Sequence, residues 1–208
     1  MDNIKNYLKD FDHHRTVSFI HDPKTHLDGF IAIHRGNGNQ VPAFGATRFV
    51  AYKNMLDGLQ DALRLSKLMS YKSALAGLKY GGAKGVIFIP KDRYNKKLLL
   101  GAYCQKINLL NGHFITGGDV GINSSEVQKM SKDSPFIVGV KADPVEYTTL
   151  GLMYALEVCL DKIFGNKNIK GKTFSIQGVG RLAGLAHYGY IFIHLRPGVL
   201  VGTRHIGF

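Results

Sequence analysis

A leucine-rich helical pattern from about Asn54 to Ala76 gives way within a few residues to a double glycine, Gly81-Gly82, and then to the apolar run Val86 to Ile89. A helical period passing through glycines into a β-branched run marks a helix-to-strand unit of an α/β sheet. The double glycine reads as a turn whose backbone reaches conformations closed to other residues and lets a ligand approach closely. Lys72 and Lys84 flank it in one local unit, able to converge on a small anionic substrate. Two neighbouring ammonium groups raise each other's cost of charging, so one should lose its proton more easily than a free lysine at roughly 10.4. Such a lysine can act as a general base near neutral pH.

The remaining pattern extends the same architecture. Ile4, Tyr7, Leu8 and Phe11 recur at helical spacing and predict a short first helix. Arg15 to His21 and Leu27 to His34 read as strands joined through Asp22-Pro23, and Val41 to Tyr52 as a further extended run. After Val86 to Ile89 come a helix from about Asn95 to Leu110, a strand His113 to Thr116 and a helix after Asn123. Arg64 and Lys67 fall on the outer side of the long helix and read as solvated charges.

Composition narrows the classes. In 208 residues, 45% are hydrophobic and 20% charged, the balance of a folded α/β protein rather than of disorder. No stretch approaches the ~18 apolar residues of a membrane span, and the start MDNIKNYLKDFD lacks a signal-peptide core, so a cytoplasmic protein is expected. Cys104 and Cys159 form no C-x-x-C and read as packed thiols, with no metal site indicated. The net charge of +12 is spread along the chain without an arginine-rich tract or an aromatic-basic repeat, which argues against nucleic acid as partner.

A second unit is expected to begin near Asp143-Pro144, giving domains 1–143 and 144–208. Thr148 or its neighbour would cap a helix running to Phe164, which Gly165 would end. Thr173 to Gln177 then reads as a buried strand leading directly into Gly178, Val179, Gly180, Arg181, Leu182, Ala183 and Gly184. Strand, glycine turn and helix in that order are the context of a dinucleotide fingerprint, whose amides would hold a pyrophosphate.

Six motifs stand in order: VPAFGATR from Val41, LMSYK from Leu68, LKYGGAKG from Leu78, TGGDVG from Thr116, TTLGL from Thr148 and GVGRLA from Gly178. Together they resemble the glutamate/leucine/phenylalanine/valine dehydrogenase family, over roughly Arg15 to Gly184 and most nearly its leucine dehydrogenase branch. The resemblance implies an α/β protein in which an N-terminal substrate and oligomerisation domain precedes a Rossmann domain. It further implies NAD as cofactor, oxidative deamination of an L-amino acid, and homo-oligomers formed through the N-terminal domain. By position, Lys84 falls on the lysine that activates water, and Asp119 on the aspartate that shuttles protons to and from the amino group. Lys72 falls on the group that binds the substrate carboxylate. Gly45-Ala46 resembles the substrate-contacting double glycine, with alanine in second place, Met69 lies in the substrate-binding LMSYK motif, and Thr148 matches a threonine beside the nicotinamide. Phe44 stands where members acting on glutamate carry a lysine, so the pocket should exclude a second carboxylate, whose burial without a partner is costly. Leucine, isoleucine, valine or phenylalanine would fit.

Beyond Gly184 the pattern departs from the family. The chain ends at Phe208, 30 residues after Gly178, with room for one βαβ unit of a fold that needs about six strands. No acidic residue follows Asp161, although the fingerprint places one about 20 residues past its turn to hold the adenosine ribose. The crossover segment LAHYGYIFIHL is rich in aromatic and β-branched residues, and Arg196-Pro197-Gly198 breaks it before the strand-like Val199 to Val201. The expectation is therefore an incomplete Rossmann domain with an aberrant tail, in a chain that binds NAD weakly or not at all. The alternative function is an inactive fragment or oligomerisation module of the same family.

Overall fold

The computed structural model describes residues 8–38, 40–142, 144–169 and 172. The chain divides into two units, at Lys141 and Ala142.

In the first unit a six-stranded mixed sheet runs in the order β1 (Thr16–Asp22), β2 (Leu27–Ile33), β5 (Gly81–Phe88), β3 (Ala43–Phe44), β6 (Phe114–Ile115), with β4 (Thr47–Val50) also paired to β5. The β1–β2 and β2–β5 pairs are antiparallel, whereas β3 and β4 lie parallel to β5. The run expected from Val41 to Tyr52 is thus two short strands interrupted at Gly45-Ala46, both aligned on one long β5.

Side-chain alternation makes both faces of the central strands apolar. Ile31 and Ile33 of β2 and Ala83 and Ile87 of β5 join a core with Leu99, Tyr103, Cys104 and Ile107 of helix α2 (Lys96–Leu109) and Val127 and Met130 of helix α3 (Ser124–Asp133). On the other face, Phe30, Ala32 and Val86 meet Ala62 and Leu63 of helix α1 (Met55–Leu75). Leu8 and Phe11 pack against this second cluster, while the rest of the expected first helix lies outside the described residues.

Each helix begins where a side chain satisfies amide groups that the first turn leaves without partners. Asn54 caps α1 by accepting from the Asp57 N–H, Asn95 caps α2 through the Lys97 and Leu98 N–H groups, and Asn123 forms a capping box with Glu126 at the start of α3.

The double glycine is not a turn. Gly81 and Gly82 are the first residues of β5, in register with Ala43 and Phe44. Glycine is needed there for packing: a Cβ on Gly81 would overlap the Arg35 carbonyl, and one on Gly82 would overlap the Ser66 carbonyl and Ser70 amide of α1. Gly82 lets α1 lie against the sheet and Gly81 lets the backbone after β2 come close, so glycines that read as conformational freedom serve close backbone contact.

Two further expectations change. Lys67 and Arg64 are not free surface charges, since Lys67 pairs with Asp12 at 3.1 Å and Arg64 with Asp61 at 2.7 Å. Cys104 is packed, its thiol 3.7 Å from the Met130 carbonyl and pushed up to about 12 by burial, but Cys159 is exposed.

Helix α4 (Pro144–Phe164) belongs to the second unit, and Gly165 ends it with φ +70° as expected. Thr148 is not its cap. The helix begins at the fixed φ of Pro144, and the Thr148 hydroxyl donates back to the Pro144 carbonyl at 2.7 Å. The expected strand at Thr173 to Gln177, the glycine fingerprint and the tail lie outside the described residues. No helix among the described residues is long and apolar enough to cross a membrane.

His14 and His34, both buried, tie the N-terminal segment and β2 to α1. The Asp12 N–H donates to His14 Nδ1 at 3.2 Å, so the ring proton sits on Nε2, 3.0 Å from both the Leu63 carbonyl and the Ser66 hydroxyl. A second proton on Nδ1 would face another donor. Burial, reinforced by the charge of Arg35, holds His14 at about 4 despite the Leu63 carbonyl. Because the unfolded chain takes up this proton near 6.5, stability is complete above that pH and is lost as pH falls through about 4. Thermal unfolding across that interval is expected to show a falling Tm whose slope is shallower in His14→Asn; an equal slope would show that His14 does not carry the acid sensitivity.

Candidate active site

Lys84 lies in the middle of β5, opposite Ala32 of β2. Its parity is that of Gly82 and Val86, so its side chain leaves the sheet on the α1 face. Only 6% of that side chain is exposed. A lysine so placed needs a carboxylate, and Asp119 supplies it: Lys84 Nζ donates to Asp119 Oδ2. Asp119 stands in the loop after β6, where its carbonyl accepts the Ile122 N–H at 3.0 Å. The residue therefore both closes a turn and presents a carboxylate, and the two sequence-predicted catalytic residues, 35 positions apart, meet.

Burial lowers the affinity of Lys84 for its proton; Asp119 works against this, and Arg48 adds to it. The direction is the one expected, but the cause is not a second lysine. Lys72 lies exposed in the last turn of α1, and the like charge that bears on Lys84 is Arg48. For Asp119, burial would raise the carboxyl, yet the charges and hydrogen bonds of Lys84 and Arg48 outweigh it and hold the group at about 2. At neutral pH Asp119 is a carboxylate.

Arg48 carries the residue that sequence reasoning passed over, although it closes the VPAFGATR motif. Its Nε donates to Asp119 Oδ2 at 2.8 Å and its Nη1 to Asp61 Oδ2 at 3.0 Å. Asp61, on α1, also accepts from the Tyr52 hydroxyl and from Arg64 Nη2, each at 2.7 Å. The signal available in the sequence was the arginine that closes the VPAFGATR motif; in the sheet Arg48 pairs with Val86, two residues from Lys84 and on the same face.

The other predicted residues divide. Gly45 is buried at the break between β3 and β4, its N–H donating to the Ile115 carbonyl at 3.1 Å; a Cβ there would overlap the Ala83 carbonyl. The Ala46 carbonyl accepts the Gly85 N–H. This segment thus holds the backbone beside Lys84 in place, and the Gly45 amide is taken by the sheet. Phe44 is half-buried against Tyr80, ring centroids 5.6 Å apart, and Met69 is half-buried on α1. Thr148 stands in the second unit, and Gly178 to Gly184 lie outside the described residues. Among the described residues no cluster of three His, Cys, Asp or Glu side chains could hold a metal ion.

Known proteins share the sequence and fold of this chain. Residues 14–135 match the family described as Glu/Leu/Phe/Val dehydrogenase, dimerisation domain. The chain is 36% identical over 178 residues to the phenylalanine dehydrogenase of Lysinibacillus sphaericus, across 81% of this chain and 45% of that protein. It is 33% identical over 186 residues to the leucine dehydrogenase of Bacillus cereus, across 86% of this chain and 50% of that protein. The crystal structure of L-tryptophan dehydrogenase from Nostoc punctiforme superposes with a TM-score of 0.65 at 32% identity, covering 90% of this chain and 52% of that one. The chain spans about half the length of the curated relatives it matches. With most of the first unit matched, and with relatives above 30% identity aligned across four-fifths of its length, the chain belongs to the Glu/Leu/Phe/Val dehydrogenase family.

Proposed function

We propose that this chain supplies the substrate half of an NAD-dependent dehydrogenase that deaminates an apolar L-amino acid to its 2-oxo acid, with the branched-chain amino acids as the first candidates. The observation that carries this reading is the buried Lys84 bonded to Asp119 within a fold shared with amino-acid dehydrogenases. Oxidised nicotinamide, when bound, accepts the hydride from the substrate Cα. The residues assigned to the cofactor lie outside the described ones, except Thr148, whose hydroxyl is engaged by Pro144, so no step is drawn through them.

The chemistry of the two side chains follows from their states. The ionised Asp119 takes a proton from the substrate ammonium, leaving an amine able to release hydride and become an iminium. Lys84, readied for deprotonation by burial, takes a proton from water as its oxygen adds to the iminium carbon. Asp119 then returns a proton to the nitrogen, the C–N bond breaks, and the carbonyl forms as the hydroxyl proton passes to the departing ammonia, which leaves as ammonium; Lys84 gives its own proton back to solvent. Lys72, exposed in the last turn of α1, provides a cation for the substrate carboxylate. The match to a dimerisation domain supports homo-oligomers formed through the first unit.

Lys84→Ala should lower turnover by at least about 10²-fold while leaving the circular dichroism spectrum unchanged. The check is the rate of NADH formation with leucine in a form carrying a complete cofactor domain, beside the same form with Lys84 unaltered; equal rates would remove Lys84 from the chemistry.

Phe44, assigned to the side-chain pocket, stands against Tyr80 and so offers aromatic surface rather than charge. Rates with leucine, valine and phenylalanine should exceed the rate with glutamate by roughly 10²-fold or more, because a buried second carboxylate would lack a partner. Preference for glutamate would show that Phe44 does not set the side-chain pocket.

A further inference from the structure

Lys84, Asp119, Arg48, Asp61 and Arg64 form one continuous chain of ion pairs. Both cations that reach Asp119 meet the same oxygen, Oδ2, and Oδ1 has no hydrogen-bond partner among the described residues. Without Lys84, the remaining four groups alternate in sign and sum to zero. An arginine stays protonated throughout the range in which a lysine titrates.

We propose that Arg48, anchored on Asp61, is a positioning residue for the Lys84–Asp119 pair: it holds Asp119 Oδ2 whether or not Lys84 carries its proton. Lys84 can then release and recover a proton without leaving a half-buried carboxylate uncompensated, and Oδ1 is left for the substrate. The inference rests on Lys84 being the base of the proposed reaction.

The surroundings of Lys84 support this assignment from every side. β4 contributes Arg48, the loop after β6 contributes Asp119, and α1 contributes Asp61 with Arg64 behind it. β2 places the uncharged Ala32 opposite. Tyr103 of α2 approaches the next residue, Gly85, from the other face and is bonded to the Thr47 hydroxyl at 2.7 Å. Further along α1, Lys67 is occupied by Asp12, and Lys72 is exposed. Arg48 disfavours the charged form of Lys84, and Asp61 favours it. What ties Arg48 to the pair is geometric: its Nε donates to the same carboxylate oxygen, Asp119 Oδ2, that Lys84 meets.

The test titrates Lys84 itself, so it is independent of turnover and distinguishes this proposal from the dehydrogenase reading. In the full chain labelled with ¹³C at lysine Cε, the Lys84 resonance is assigned by its absence in Lys84→Arg and followed from neutral to alkaline pH. Arg48→Gln should move the Lys84 midpoint to higher pH, and Asp61→Asn should move it to lower pH. Movement of both in one direction, or of neither, would overturn the proposal. Should Arg48→Gln fail to fold, Asp61→Asn decides alone: a lower midpoint supports the counter-ion role, and an unchanged or higher one refutes it.

Discussion

A lysine inside a sheet is the constraint around which the first unit is organised. The ammonium of Lys84 has left water almost entirely, and burial without a partner would be met by loss of the proton or by distortion of the fold. Asp119 removes that cost, but only if the loop after β6 stays where it is relative to β5. The buried hydroxyls of Thr47, Tyr103 and Thr116 lock that relation: Thr47 bonds to Tyr103 at 2.7 Å and to Thr116 at 2.8 Å, joining β4, α2 and the start of the Asp119 loop. The hydroxyl cluster lies on the α2 face of the sheet and the charged pair on the α1 face. One set of neutral hydrogen bonds thus fixes the strands whose next residues carry the charges.

The close approach of α1 completes the enclosure. Gly82 admits the helix backbone, and the helix brings Asp61 to Arg48. Small residues and ionic residues on α1 therefore serve one end: Ser66 and Ser70 sit where the helix meets the sheet and hydrogen-bond to His14 and His34, while Asp61 and Arg64, earlier on the helix, extend the ion chain.

Strand and helix order was legible in the sequence because each element carries its own period and its own cap. Asn54, Asn95 and Asn123 mark three helix starts that the structure reproduces. The Lys84–Asp119 pair was legible only through a resemblance, since no local pattern joins residues 35 positions apart. The role of Gly81-Gly82 was misread because glycine has two uses, access to unusual dihedrals and absence of a Cβ, and sequence alone does not separate them. Arg48 was passed over because its function lies in two carboxylates from different elements, one on α1 and one in a loop, which come together only in the folded sheet. Likewise Lys72 and Lys84 were read as neighbours from their spacing, whereas one ends a helix at the surface and the other is buried in a strand.

The pairing of Lys84 with Asp119 is tested most directly by a double-mutant cycle on stability, using Lys84→Met, Asp119→Asn and the combination, each measured by chemical denaturation. If the two side chains bear on one another as described, the free energies will fail to add by about 1 kcal/mol or more, with the double variant less impaired than the sum of the single ones. Additivity within about 0.5 kcal/mol would mean that the pair does not form in solution, and the site built on it would be wrong.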